Sequence, residues 1–350
     1  MVKRFAFAVP GDLATPTGGY GYDRRMMAEL GELGWQVDLV NLGEGFPWPD
    51  AAARAEAEAR LLAVPKGRII VVDGLALGVL PEAAARLAGR NPLMALVHHP
   101  LALEWGLSAE QTEGLRVSER LALASVQGVV VTSPATARLV AADYAVPAER
   151  ITVASPGSDP MPIAQGSRDG VVRLLSVGAI VPRKGFDVLI SALATLTDLS
   201  WHLTIAGDRT RDSHAAARLD ADIARHGLGD RIAAPGAVSP QRLAALYAEA
   251  DVFALASHFE GYGMAYAEAI AHGLPVIGTN AGAIPDTVAP DAGLLVASGD
   301  IPAFATALRH VIGDADLRRR LAAAARAAAP QLPAWQHSAA IFARALEMLA

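Results

Sequence analysis

Two glutamates eight residues apart, Glu260 and Glu268, flank a Gly-Tyr-Gly turn in HFEGYGMAYAEAIAHGLPVIGT, where a loop passes into an alanine-rich helical stretch and then an apolar strand. Carboxylates accept hydrogen bonds from neighbouring hydroxyls, and a nucleotide sugar carries such pairs at its ribose and at its hexose, with a diphosphate between. Eight residues of helix rise about 12 Å, the order of length needed to reach both ends of such a molecule. A helix beginning near Gly263 would point its first N–H groups back at the diphosphate. Glu268 also has a plain structural account, because the helix dipole stabilises an acidic residue near the N-terminus. Glu260 precedes the turn, where that account is weaker.

Other loops carry groups of similar interest. VRLLSVGAIVPRKGFDVLISAL places Arg183 and Lys184 between a strand and a helix. Arginine grips a phosphate in bidentate fashion and lysine supplies a point charge, although two adjacent cations are commonly just a solvated turn. In LMALVHHPLALEWG, adjacent strand residues point to opposite faces, so His98 and His99 are not expected to share one ligand. No H-E-x-x-H spacing adds ligands elsewhere, and no metal site is expected. One of the two histidines, which one being open, would face a substrate hydroxyl or phosphate; the alternative is a histidine satisfied by backbone. In ATPTGGYGYDRRMMAELGELGW, a turn at Gly18-Gly19-Tyr20-Gly21 leads into a helix whose Met26, Met27, Leu30 and Leu33 share a face. Those glycines either expose N–H groups to a phosphate or simply let the chain turn. Asp38 stands where a dinucleotide-binding carboxylate is expected, yet the turn does not read G-x-G-x-x-G and Asp38 sits inside WQVDLV, which argues against an NAD site.

The elements that must position these groups are legible as apolar runs alternating with amphipathic helical patterns, the mark of βα units and parallel sheets. The runs are RFAFAVP, WQVDLVNL, RIIVVDG, LMALVHHP, GVVVTSP and ITVASPG, then VRLLSVGAI, WHLTIAGD, RIAAPGAV, ADVFALAS, LPVIGT and AGLLVA. Each is nearly continuous in apolar residues, as strands covered on both faces are. Ligands in open α/β sheets bind beyond the carboxyl ends of the strands, where these runs end in Gly, Pro, His, Ser or Asp. SPGSDPMPIAQGSRDG, 155–170, lacks periodicity and reads as a linker. The expected architecture is α/β: a doubly wound, Rossmann-like domain at 1–165, a second at 166–332 facing it across a cleft, and a helix over 333–350 with Trp335, Ile341, Phe342, Leu346 and Leu349 as its buried positions.

Composition bounds the possibilities. A chain of 350 residues suggests two cores, and 19% charged against 52% hydrophobic residues with no long apolar run marks a globular protein. A net charge of -6 gives no basic footprint for nucleic acid or an anionic membrane. Cysteine is absent, which removes disulfides and thiolate chemistry. MVKRFAFAVPGD reads as a first strand rather than a secretory signal, so the cytoplasm is the expected location.

Taken in order, TGGYGYD, LVHHP, VVTSPATARLVA, ITVASPGSD, VGAIVPRKG, LTIAGD and ADVFALASHFEGYGMAYAEAIAHGLPVIGTNAGAIPD resemble the GT-B retaining glycosyltransferases of family 4, with Glu260 and Glu268 as their E-x7-E motif. The resemblance implies a hexosyl transfer from a nucleotide diphosphate sugar to an acceptor hydroxyl, with no metal and no cofactor. It implies that Glu268 holds the ribose, that Glu260 with the backbone of Gly261, Tyr262, Gly263 and Met264 holds the donor sugar, and that Lys184 neutralises the diphosphate. Gly18 and Gly19 would line the acceptor and phosphate side, and His98 would lie near the reacting sugar. In the family an arginine often follows the strand-end Val-Gly; here that place is Ala179, and Arg183 is the candidate substitute. The alternatives are a nucleotide-sugar epimerase of the same fold and a non-catalytic nucleotide-sugar-binding subunit. The donor base, the sugar, the acceptor (glycan, lipid or small molecule), any peripheral membrane association and the oligomeric state are not written in the sequence.

Overall fold

The computed structural model describes residues 3–350. All twelve apolar runs are strands, and they form two parallel six-stranded sheets. The first unit contains β1 (Lys3–Val9), α1 (Gly18–Glu32), β2 (Trp35–Asn41), α2 (Ala51–Leu62), β3 (Ile69–Asp73), α3 (Gly74–Leu77), α4 (Pro81–Ala88), β4 (Leu93–Val97), α5 (Ala109–Ala124), β5 (Gly128–Val131), α6 (Pro134–Asp143) and β6 (Ile151–Val153). The second contains β7 (Val172–Val177), α7 (Phe186–Ala194), β8 (Trp201–Ala206), α8 (Ser213–Arg225), β9 (Ile232–Gly236), α9 (Pro240–Glu249), β10 (Val252–Ala254), α10 (Met264–Ala271), β11 (Val276–Thr279), α11 (Ile284–Thr287), β12 (Gly293–Val296), α12 (Ile301–Gly313) and α13 (Ala315–Ala328). The final helix, α14 (Trp335–Glu347), belongs to the first unit, which comprises 1–157 and 333–350, while the second spans 158–332.

The central strands β3, β4 and β5 are buried along their whole length, as continuous apolar strands covered on both faces should be. The expectation of full cover fails at the sheet edges. β2 and β9 each have one neighbour and leave exposed residues, and β2 correspondingly alternates apolar and polar residues as WQVDLVN. Asp38, on that edge, forms a two-pronged ion pair with Arg4 (2.6 and 2.7 Å) and so serves as a strand-edge tie. α14 packs on α1: Tyr22 approaches Trp335 with ring centroids 5.9 Å apart, Arg25 covers the Trp335 ring, and Phe342 and Leu346 are fully buried. Ile341 and Leu349 are only partly buried.

Strand order determines where a site can form. In the first sheet it is β2-β1-β3-β4-β5-β6 and in the second β12-β11-β10-β7-β8-β9. The direction of winding reverses between β1 and β3 and again between β7 and β10, and at such switch points the connections diverge and leave a crevice beyond the strand ends. The chain segments at the first are the start of α1 and the end of β3; at the second they are the 178–185 loop and the 255–263 loop.

The two loops at the second switch point are packed backbone to backbone. Gly185 has φ +63°, and a Cβ there would lie 2.1 Å from the carbonyl oxygen of Ala256. Both the left-handed conformation and the close approach require glycine. Gly185→Ala is therefore expected to destabilise the fold by about 2 kcal/mol or more, read as a lowered urea midpoint at unchanged slope.

Candidate functional site

Arg183 and Lys184 lie in a single turn of 3-10 helix, Pro182–Lys184, directly after β7. Glu260 lies in the loop after β10 and is 6% exposed. Lys184 Nζ is 2.6 Å from Glu260 Oε1, and Arg183 Nη1 is 3.3 Å from Oε2 while donating to the carbonyl of Phe259 at 2.7 Å. Ser257 Oγ donates to Oε1 at 2.7 Å. Burial pushes the Glu260 carboxyl up, but Lys184, Arg183 and the two hydrogen bonds outweigh it and bring it down to about 2. The two cations keep 14% and 15% of their side-chain surface exposed, so a ligand can still reach them.

The Glu260 loop is pinned from several sides. Tyr266 of α10 donates to the carbonyl of Leu255 (2.6 Å), Thr279 at the end of β11 to that of Ser257 (2.5 Å), and Thr287 of α11 to that of Tyr262 (2.6 Å). The amide of Ala283 donates to the carbonyl of Glu260 (2.9 Å), and the amide of His258 to that of Arg183 (2.8 Å). α10 starts at Met264 with Gly263 at φ +90° as its N-cap and with no side-chain cap, which agrees with the helix start expected from sequence. Glu268 lies in the second turn of α10 and accepts a hydrogen bond from Tyr247 Oη at 2.8 Å. Burial raises its carboxyl above the usual range, while Tyr247 and Lys184 pull the other way. Lys184 thus acts on both glutamates. The stem of Lys184 lies over Gly178, where a Cβ would meet Cε at 3.1 Å, so the strand-end glycine makes room for this lysine beside Ala179.

Three expectations need correction. Gly18, Gly19 and Gly21 form no turn before the helix; they are inside α1, whose N-cap is Thr17, its hydroxyl accepting from the amide of Tyr20. Leu33, at the C-cap, is exposed instead of facing the core. His98 and His99 also lie past the end of β4 rather than on it, and their separation comes from the bend after the strand. His99 Nε2 is 3.4 Å from Glu104, whereas His98 turns inward.

That inward turn exposes two residues the sequence reading missed. His98 Nε2 is 3.1 Å from Asp23 Oδ1 and 3.9 Å from Asp73 Oδ2, and both carboxylates are essentially inaccessible to solvent. Burial would lower the His98 imidazole, but the charges of Asp23 and Asp73 and the Asp23 hydrogen bond lift it to about 9. Asp73 is pushed up to about 7 by burial and by the charge of Asp23, against the pull of His98. Asp23 shares a helix face with Met26 and Leu30, and a charge on an apolar face was the available signal. The two clusters belong to different units: Asp23, Asp73 and His98 to the first, Arg183, Lys184, Glu260 and Glu268 to the second.

Two parallel, doubly wound six-stranded sheets are the fold shared with the GT-B glycosyltransferases among the solved structures below. Residues 161–328 match the family model described as glycosyl transferases group 1. The chain is 29% identical over 334 residues to the MMP alpha-(1->4)-mannosyltransferase of Mycolicibacterium hassiacum, covering 88% of this chain and 78% of that one. It is 31% identical over 247 residues to the D-inositol 3-phosphate glycosyltransferase of Xylanimonas cellulosilytica, covering 66% of this chain and 59% of that relative. Among solved structures, the sucrose-phosphate synthase of Thermosynechococcus elongatus superposes with a TM-score of 0.83 at 21% identity over 99% of both chains. Anabaena HepE, solved with UDP and glucose, gives 0.76 at 20% identity over 97% of this chain and 99% of its own. Residues 161–328 thus match the group 1 glycosyl transferases, in line with the family 4 resemblance of the motifs, and the protein is a glycosyltransferase.

The Glu260 ion pairs give a pH-dependent prediction. The folded-state value lies below the ordinary 4.5, so the stabilisation is fully present above about 4.5 and is lost as pH falls from there toward about 2. Glu260→Gln is expected to lower stability at pH 7 by on the order of 3 kcal/mol. The gap between wild type and variant should narrow over that acidic window in chemical denaturation; a gap independent of pH would contradict the ion-pair account.

Proposed function

We propose that the protein transfers a hexosyl group from a nucleotide diphosphate sugar to an acceptor hydroxyl with retention at the anomeric carbon and without a metal or other cofactor. The observation that carries this reading is the meeting of Arg183, Lys184 and Glu260 beside the N-terminus of α10. Arg183 and Lys184 set two positive charges beside Glu260, and the N–H groups at the start of α10 add their dipole at the same place. This is the electrostatic environment a departing diphosphate needs. Glu268, set back along the helix and oriented by Tyr247, is assigned to the ribose hydroxyls. Glu260, with the backbone of Gly261, Tyr262, Gly263 and Met264, is assigned to the donor sugar, and Gly18, Gly19 and His98 to the acceptor and reacting-sugar side.

The environment of Glu260 also bears on mechanism. Oε1 already accepts from Ser257 and Lys184 and Oε2 from Arg183, so three of its roughly four acceptor sites are taken and its charge is held by two cations, which makes it a poor covalent nucleophile. Front-face transfer, in which the leaving phosphate oxygen takes the acceptor proton, asks no such nucleophile of the protein. The relatives named as a mannosyltransferase and an inositol-phosphate glycosyltransferase, and HepE solved with UDP-glucose, support a nucleotide-sugar donor. Among the described residues no helix is long and apolar enough to cross a membrane, and a cytoplasmic setting is proposed.

Incubation with UDP-, GDP- and ADP-hexoses and a panel of hydroxyl acceptors is expected to release the nucleoside diphosphate and to give, by NMR, a glycoside with the anomeric configuration of the donor, unaffected by EDTA. Lys184→Ala should lower kcat on the order of a hundredfold or more. An inverted product would overturn retention. Conversion of the donor into an isomer without nucleotide release would replace transfer with epimerisation.

A further inference from the structure

Asp23 and Asp73 have no part in the chemistry just described, yet two carboxylates this deeply buried cost several kcal/mol unless their charge is met. The cation that meets it is His98. Asp23 Oδ1 engages His98 Nε2 at 3.1 Å, and Asp23 Oδ2 is buried with no hydrogen-bond partner. Asp73 spends Oδ1 on the amide of Leu75 at 2.7 Å and turns Oδ2 to within 3.9 Å of the same Nε2. The Tyr22 ring stands edge-on to the imidazole with centroids 5.4 Å apart, and Gly19 admits the Cδ2 side, since a Cβ there would lie 3.4 Å from Cδ2. The Nε2 edge is therefore walled in by α1 and the end of β3. Nδ1 makes no hydrogen bond among the described residues, and the side chain is 20% exposed.

We propose that Asp23 and Asp73 are positioning residues for His98, holding its imidazole with Nε2 bound inward so that Nδ1–H is left as a fixed hydrogen-bond donor to a substrate hydroxyl. This rests on the transferase reading for its use and on the geometry of the first unit for its existence. The carboxylates keep both ring nitrogens protonated, so Nδ1 donates at neutral pH where an isolated histidine is mostly neutral. The titratable groups facing His98 among the described residues are Asp23 and Tyr22 of α1 and Asp73 at the end of β3.

Two readouts on the full chain test this. The first is the titration of His98 by NMR on histidine-labelled protein, assigned with His98→Gln; the second is kcat and KM for wild type, Asp23→Asn and Asp73→Asn. The wild-type His98 midpoint is expected near 9, falling by at least about one unit in Asp23→Asn, whose amide can still accept the hydrogen bond but carries no charge. In the same variant kcat should fall on the order of tenfold to hundredfold, with the donor KM changed less than about twofold. An ordinary His98 midpoint in wild type overturns the proposal without any variant having to fold. So does an unchanged kcat in Asp23→Asn, or transfer that a chelator abolishes and Mn2+ restores in wild type alone, which would mean that these atoms share a cation. A chain that transfers no sugar but shows the raised, Asp23-dependent midpoint would refute the transferase reading and leave the couple standing. Transfer with an ordinary midpoint would do the reverse.

Discussion

A carboxylate removed from water is tolerated only where its charge is answered, and the answer given to Glu260 organises the second unit. Glu260 draws Lys184 and Arg183 from the loop after β7 to the loop after β10. The glycine at 185 lets those loops touch, and hydroxyls from α10, β11 and α11 hold the loop carrying Glu260 in place. The placing of two cations beside a helix N-terminus follows from this pairing. A nucleoside diphosphate arriving there would compete with Glu260 for the same cations.

The same topological logic recurs in the first unit. Its sheet reverses between β1 and β3, and the groups at that point are Asp23 from the helix after β1 and Asp73 from the end of β3, joined by His98 from the end of the neighbouring β4. Each sheet has a cluster of buried charge where its winding changes direction.

The fold was legible because central parallel strands must be continuously apolar, and IIVVD or LMALV has few other readings. Glu260, Glu268 and Lys184 were legible because short, ordered motifs surround them. What escaped depends on three-dimensional neighbours. Asp23 reads as the first of a charged triplet, DRR, and only the helix face it shares with Met26 and Leu30 shows that it points inward. Asp73 reads as a strand terminator until β4 brings His98 alongside it. The glycines at 18–21 read as a turn because glycine is a poor helix former, but Thr17, three residues before Tyr20, caps a helix that includes them.

Lys184 and Arg183, paired with Glu260, are proposed as the diphosphate-binding groups. A crystal structure with whichever of UDP, GDP or ADP binds most tightly tests this directly. The account predicts phosphate oxygens on Lys184, Arg183 and the first amides of α10, with the ribose hydroxyls on Glu268. A nucleotide bound beside Gly18 and Gly19 instead, with the Lys184–Glu260 pair undisturbed, would contradict it.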